Sequence, residues 1–243
     1  MKIALIGYGK MGHIIEQIAL QRGHEVVLKI SSSNRDQFTA EHLQQADVVI
    51  EFTRPEAALA NVTGCFAAGV PVVCGTTGWN NELPEAEKIC LEKNTAFLHA
   101  SNFSIGVNIF FEINKQLAAF MQHQPSYKVS MKEVHHTEKK DAPSGTAITI
   151  AEQIIGQMDR LKSWSLNAVT DDALPITAVR TEGVPGTHSV TYQSAVDSIE
   201  IIHTAHNREG FALGAVMAAE FLADKKGIFR MKDVLGIKSG TAY

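Results

Sequence analysis

A chain of 243 residues, 45% hydrophobic and 20% charged, is long enough for one large domain or two small ones and has the balance of a globular enzyme, not of a disordered or fibrous protein. Its formal net charge of −4 and the lack of any basic tract of five residues argue against binding nucleic acid by phosphate neutralisation. Three widely spaced cysteines, Cys65, Cys74 and Cys90, give neither a disulfide framework nor a zinc knuckle; no apolar run approaches the roughly 20 residues that span a bilayer, and Met1–Ile6 is too short for a signal-peptide core, so a cytoplasmic protein is expected.

The first hundred residues alternate short apolar runs with helical patterns. Strands are expected at Lys2–Ile6, His24–Ile30, Asp47–Phe52, Val70–Cys74 and Thr95–His99, with helices over Met11–Gln21, Pro55–Ala68 and Asn81–Lys93. Parallel neighbours need crossover helices, so this rhythm predicts a Rossmann-type, doubly wound parallel sheet. The rhythm then changes. A helix at Val107–Met121, a strand at Tyr127–His135, a polar loop to Ser144 and a helix to Met158 precede strand-like runs at Ile176–Glu182, His188–Gln193 and Ser198–Ala205. Strands in succession predict a second, α+β domain. The helical pattern Phe211–Leu222 and the amphipathic tail Phe229–Ile237 are expected to pack back on the first domain, giving boundaries of 1–103 with 208–243, and 104–207. Ligands in proteins of this kind are expected between the domains.

Gly7-Tyr8-Gly9-Lys10-Met11-Gly12 follows the first strand and opens the first helix. In such a G-x-G-x-x-G loop the first glycine makes the tight turn, the second lets backbone approach a pyrophosphate and the third lets helix and strand pack closely. The helix start then offers amides and a positive dipole end to the phosphates. The acidic residue that would bind the ribose of NAD is missing; Lys29-Ile30-Ser31-Ser32-Ser33-Asn34-Arg35 stands there, and its hydroxyls and cations lean to NADPH without excluding NADH. A second glycine cluster, Gly75-Thr76-Thr77-Gly78, lies at the C-terminal end of a strand, where open α/β sheets bind ligands.

The stretch from Glu133 to Ala147 concentrates proton donors and cations before a glycine-opened helix. Reducing a C=N bond with a nicotinamide needs a general acid beside the substrate, and His135, His136 and Lys139 are such donors, the last two also suited to carboxylates. Ser144-Gly145-Thr146 starts an amphipathic helix whose first amides can hold a second carboxylate, so a dicarboxylate substrate is expected. Adjacent histidines on a strand point to opposite faces and no third ligand stands at a useful spacing, so no metal is expected.

This stretch carries the motif E-[AV]-H-H-x-x-K-x-D-A-P-S-G-T-A in full, and with it the chain closely resembles the dihydrodipicolinate (4-hydroxy-tetrahydrodipicolinate) reductases of bacterial diaminopimelate and lysine biosynthesis. Glu51-Phe52-Thr53-Arg54-Pro55-Glu56, Gly75–Gly78, Ala100–Asn108 and the start of the Phe211 helix support the resemblance over essentially the full length. It implies His135 as proton donor or acceptor, Lys139 as a second proton donor, and His136 with Ser144, Gly145 and Thr146 as the substrate grip. It places cofactor contacts on Gly7, Tyr8, Gly9, Lys10, Met11 and Gly12, on Gly75, Thr76 and Thr77, and on Ala100, Ser101, Asn102 and Phe103. It further implies a substrate-binding and oligomerisation domain with an open mixed sheet, a homotetramer, and NADPH or NADH as cofactor. The glycine loop here is one residue shorter than in many members. Other nicotinamide dehydrogenases and nucleotide-sensing modules would keep this loop but have no use for His135 and Lys139.

Overall fold

The computed structural model describes residues 1–168 and 172–237. In chain order its elements are β1 (Lys2–Ile6), α1 (Lys10–Gln21), β2 (Glu25–Ile30), α2 (Ala40–Leu43), β3 (Val48–Glu51), α3 (Pro55–Ala67), β4 (Val72–Cys74), α4 (Leu83–Glu92) and β5 (Ala96–His99). Then come α5 (Ile105–Met121), β6 (Lys128–His135), α6 (Gly145–Ile155), β7 (Ser163–Leu166), β8 (Ala173–Arg180), β9 (Gly186–Gln193), β10 (Ser198–Ala205), α7 (Glu209–Leu222), β11 (Gly227–Phe229) and α8 (Met231–Val234). They form two compact units, one of Met1–Ile105 with the segment from Glu209 onward, the other of Gly106–Arg208.

The first unit is built on a six-stranded sheet in the order β11-β5-β4-β3-β1-β2, all of whose pairs are parallel. Its central strands read as unbroken apolar runs because both faces are covered. Ile3, Leu5, Val48, Ile50 and Val73 face α1 and α7, while Ala4, Ile6, Val49, Val72 and Cys74 face α2, α3 and α4. α7 approaches closely because its buried side is mostly small, with Ala212, Ala215, Ala218 and Ala219 fully buried. At Gly214 a Cβ would stand 1.8 Å from the Phe103 carbonyl oxygen, so no other residue fits there unchanged.

The second unit has a five-stranded mixed sheet, β10-β9-β6-β8-β7, in which β6/β8 and β8/β7 are parallel and β6/β9 and β9/β10 antiparallel. Its core joins Phe110, Ala118 and Met121 of α5 and Ala147, Ile150, Ala151 and Ile154 of α6 to Met131, Leu174, Ile176, Val190 and Tyr192 of the sheet. The other sheet face carries Lys128, Ser130, Lys132, Glu200, Ile202 and Thr204, all exposed.

Several elements differ from expectation, among them the four-residue α2 in a stretch where no helix is expected. β7, Ser-Trp-Ser-Leu, is only four residues long and was not foreseen, nor was β11, which has three; neither is long enough to declare a period of two. The tail expected to be one amphipathic segment is instead β11, paired with β5, followed by the short α8. β8 begins at Ala173 rather than Ile176 because Ala173 and Leu174 pair with β7.

Candidate active site

In the first unit the chain leaves β1 through Gly7, whose φ is +98° and whose Cβ, if it had one, would lie 1.8 Å from the Phe52 carbonyl oxygen. Only glycine suits both demands. Gly12 packs on the Gly7 carbonyl, 2.6 Å from a would-be Cβ, whereas Gly9, the N-cap of α1, faces open space with nothing within 4 Å and no side-chain cap. An uncapped helix start that opens into space at the C-terminal end of β1 fits a pyrophosphate. The amides of Gly7 and Tyr8 both donate to the Ile30 carbonyl, at 2.9 and 3.0 Å, so the donors toward a phosphate fall to the stretch from Gly9 through Lys10 and Met11 to Gly12.

A cavity of about 340 Å³ beside Gly7 is walled by Ser31, Ser32, Arg35, Thr53 and Arg54. The Lys29 ammonium is paired with Glu16 at 3.0 Å, and that carboxylate also accepts a hydrogen bond from the Tyr8 hydroxyl. Of the cations read after β2, Arg35 therefore serves the cavity, lying over the Phe38 ring at 4.0 Å, and Arg54 joins it from the start of α3.

Thr76 turns inward: its hydroxyl donates to Glu51 at 2.7 Å and accepts the Thr53 amide at 2.7 Å, while Thr77 is exposed. Glu51, fully buried at the end of β3, also accepts from Thr53, Asn61 and Cys74. One carboxylate thus ties the turn after β3 to the Gly75–Thr77 turn after β4. Gly75 lies over the Phe52 ring, 2.2 Å from a would-be Cβ. After β5, Ala100 and Asn102 are half-buried and Ser101 exposed, whereas the Phe103 side chain is core, its ring 5.6 Å from that of Phe52. The Phe103 side chain is therefore closed to a ligand, and its carbonyl packs on Gly214.

In the second unit the alternation of β6 buries Val129, Met131, Glu133 and His135 on one face. Strand register sets Glu133 opposite His188 of β9 and His135 opposite Arg180 of β8. Glu133 is wholly buried; its two oxygens accept the Ser144 amide at 3.2 and 3.1 Å, and one accepts Arg180 at 3.3 Å. Its other oxygen lies 3.4 Å from His135 Nδ1 and 3.8 Å from His188 Nε2. Arg180 reaches further, to the carbonyls of Lys139 at 3.3 Å and Asp141 at 2.6 Å, and so pins the loop after β6 to the sheet. The ring of His135 lies edge-on to that of His188, 5.1 Å between centroids, and over Gly186, where a Cβ would come within 3.1 Å of Nε2.

Ser144 is the N-cap of α6, its hydroxyl accepting the Ala147 amide at 3.2 Å and facing His188 Nε2 at the same distance. Gly145 is exposed with open space where a Cβ would project, Thr146 is half-buried, and no acidic residue stands in the first turn. This is a helix start suited to an anion. His136 is half-buried, and the Lys139 ammonium is held by both oxygens of Asp141 at 2.9 Å, which keeps the Asp141 carboxyl below its ordinary value. Burial pushes His188 down to about 4, with the neighbouring His135 adding to the shift, and burial also lowers His135.

The expectation that no third metal-ligating group stands near His135 needs correcting. One atom each of Glu133, His135 and His188 lies within 4.8 Å of the others, because cross-strand pairing joins residues far apart in sequence. Arg180 and the Ser144 amide already meet the carboxylate's charge, so we read this trio as a buried carboxylate with two imidazoles beside it and not as a metal centre.

Residues 1–103 match the family model described as dihydrodipicolinate reductase, N-terminus, and residues 106–235 the one described as dihydrodipicolinate reductase, C-terminus. The chain belongs to the dihydrodipicolinate reductase family. It is 52% identical over 235 residues to 4-hydroxy-tetrahydrodipicolinate reductase of Christiangramia forsetii, covering 97% of this chain and 98% of that protein. It is 40% identical over 205 residues to that of Chromobacterium violaceum, covering 81% and 76%. Among solved structures, a dipicolinate-bound dihydrodipicolinate reductase from Paenisporosarcina superposes with a TM-score of 0.80 over 95% of this chain and 97% of that one, at 22% identity. A scyllo-inositol dehydrogenase of Lactobacillus casei with bound NAD(H) shares the fold more distantly, at a TM-score of 0.58 and 12% identity over 99% and 91%. Membership in the dihydrodipicolinate reductase family makes the chain an NAD(P)H-dependent oxidoreductase of the diaminopimelate and lysine route.

Within the family motif, sequence reasoning singled out the histidines and Lys139 but not Glu133, and it missed Arg180 and His188 altogether. Glu133 had a signal: it falls on the inward phase of a strand whose neighbours Met131 and His135 are buried. Arg180 and His188 had none, since only strand pairing brings them to β6.

Proposed function

We propose that this chain reduces 4-hydroxy-tetrahydrodipicolinate, or the dihydro species formed from it by loss of water, to tetrahydrodipicolinate, with His135 and Lys139 handling the proton. From the hydroxy compound, substrate, NAD(P)H and one proton give product, NAD(P)⁺ and water; from the dihydro species the same balance holds without the water. NAD(P)H supplies the hydride, which goes to ring C4. The uncapped start of α1 and the Gly75–Thr77 turn suit the cofactor, and Arg35, Arg54 and the serines after β2 lean toward the 2′-phosphate of NADPH. One substrate carboxylate lies at the start of α6 against Ser144, Gly145 and Thr146, the other against His136 and Lys139, and His135 delivers the proton. A dicarboxylate agrees with the dipicolinate bound to the Paenisporosarcina enzyme. A positioned general acid contributes roughly 10²–10⁴-fold, and a charge-assisted bond to a carboxylate about 1.5–3 kcal/mol.

The observation that carries this reading is that the uninterrupted stretch from Glu133 to Thr146 folds with His135, the Lys139 loop and the helix start all joined to one buried carboxylate. The test is loss of NADPH or NADH absorbance at about 340 nm, with substrate made in situ by a dehydratase. His135→Ala is expected to lower turnover; Lys139→Ala is expected to lower turnover and raise KM. Unchanged kinetics in both variants would refute the assignment. We place the reaction in the cytoplasm, consistent with three free, buried thiols. We assign the chain to a homotetramer built through the uncovered face of the mixed sheet, which light scattering would report as four chains.

A further inference from the structure

Glu133 is the residue whose environment asks most for an explanation. A wholly buried carboxylate on a core-facing strand position is costly unless its charge is answered, and a packed apolar residue would serve the fold at least as well. Its partners are not scattered. The Ser144 amide belongs to the helix start proposed for one substrate carboxylate, His135 is the proposed proton donor, and Arg180 holds the carbonyls of Lys139 and Asp141 in the loop that carries the proposed second donor.

We propose that Glu133 is the positioning residue of the reductase reaction: it orients His135 through Nδ1, leaves Nε2 to work on the substrate, and locks the start of α6 and the Lys139 loop in register with it. This rests on the reading of His135 as the proton donor. Nδ1 of His135 is buried and hydrogen-bonded to nothing among the described residues, and its carboxylate neighbour is Glu133 at 3.4 Å, close enough that a small turn of the ring brings an Nδ1–H onto that oxygen; Nε2 lies over Gly186, the one residue on that stretch of β9 without a side chain to block the ring. A carboxylate beside Nδ1 favours the Nδ1–H form and stabilises the imidazolium before it gives up its Nε2 proton.

The charged and titratable groups facing His135 come from every element around it. Glu133 comes from its own strand, Arg180 from β8, His188 from β9, and Lys139 and Asp141 from the following loop. Burial lowers the proton affinity of His135; Glu133 opposes that, Lys139 and Arg180 reinforce it, and Asp141 opposes it. Glu133 is therefore the nearest group that keeps a buried imidazole able to hold a proton.

The test compares pH profiles of kcat and kcat/KM for the parent, Glu133→Gln, Glu133→Asp and Arg180→Met, with His135→Ala measured beside them. Glutamine retains an oxygen for the Ser144 amide but loses the charge. It is expected to lower kcat on the order of 10²-fold and to move the limb that reports loss of the His135 proton to lower pH. Glu133→Asp is expected to restore part of both. Arg180→Met removes a cation facing His135 and is expected to move the same limb to higher pH, which keeps the proposal testable should Glu133→Gln fail to fold. A limb that stays in place in Glu133→Gln and Arg180→Met, with losses confined to stability or KM, would leave Glu133 merely structural and overturn the proposal. Full activity in His135→Ala would instead overturn the underlying assignment of the proton donor.

Discussion

Glu51→Ala tests the idea that one buried carboxylate organises the cofactor end of the first unit. In the parent, Glu51 accepts the hydroxyls of Thr53 and Thr76, the Asn61 amide at 3.0 Å and the Cys74 thiol at 3.0 Å, with no solvent to take its place. Alanine leaves two hydroxyls without an acceptor, a weak thiol donor unpaired, and Asn61 with only the Thr53 oxygen and the Asn61–Thr53 distance of 3.1 Å to rely on. Each buried donor left unsatisfied costs about 1–3 kcal/mol, reduced where a hydroxyl can turn, so the variant should lose about 2–5 kcal/mol. For a unit of this size that corresponds to roughly 5–15 °C in Tm. Glu51→Gln should cost far less, about 1 kcal/mol, because the Asn61 Oδ1 has no partner and the amide can turn to present it to the new NH₂ group. Calorimetry of the three proteins gives the stabilities, and KM for NADPH reports whether the Thr76 turn has loosened, with a rise expected in the alanine variant. Equal stability of Glu51→Ala and parent, or a glutamine variant as unstable as the alanine one, would refute the reasoning.

Other perturbations follow from the same geometry. With His188 held to about 4 by burial and an unfolded value of 6.5, the unfolded chain takes up a proton first as pH falls, so this residue's contribution of about 3 kcal/mol should drain away between roughly pH 6.5 and 4; urea unfolding of the parent and His188→Asn across that range should show a flatter dependence in the variant. Gly214→Ala drives a methyl into the Phe103 carbonyl, which is backbone and cannot swing aside, and should cost at least about 2 kcal/mol by thermal unfolding. Arg54→Ala removes an exposed cation from the cavity beside Gly7 and should raise KM for NADPH by roughly fivefold, about 1 kcal/mol, while leaving KM for NADH near the parent's.

Local pattern declared most of what local interactions decide. The β1, β3 and β4 runs could be read as doubly covered strands because each residue is apolar whichever face it meets, and Gly7 and Gly12 could be read as a phosphate turn because their spacing has a steric purpose that the structure bears out at the Phe52 and Gly7 carbonyls. The segment from Glu133 to Thr146 could be read as one candidate site for the same reason: strand end, loop and helix start are contiguous, so His135, Lys139 and the first amides of α6 are neighbours in sequence before they are neighbours in space. Strands of three or four residues such as β7 and β11 stayed silent, since they exist only because β8 and β5 offer an edge to pair with.

Tertiary structure alone decided how the charges are answered. Nothing local tells that Lys29 pairs with Glu16, one helix away, or that the Thr76 hydroxyl turns to a buried Glu51. Arg180 and His188 carried no sequence signal at all, because a residue's role beside a buried carboxylate depends on strand register, and register is set by the packing of whole faces rather than by any short motif. The sequence by itself determined the family and the two sheets, and it pointed to His135 and Lys139 as the side chains proposed to react. What tertiary structure decided was which charged groups are matched with one another, since buried charge is stabilised only by partners held at hydrogen-bonding distance, and those partners come from across the fold.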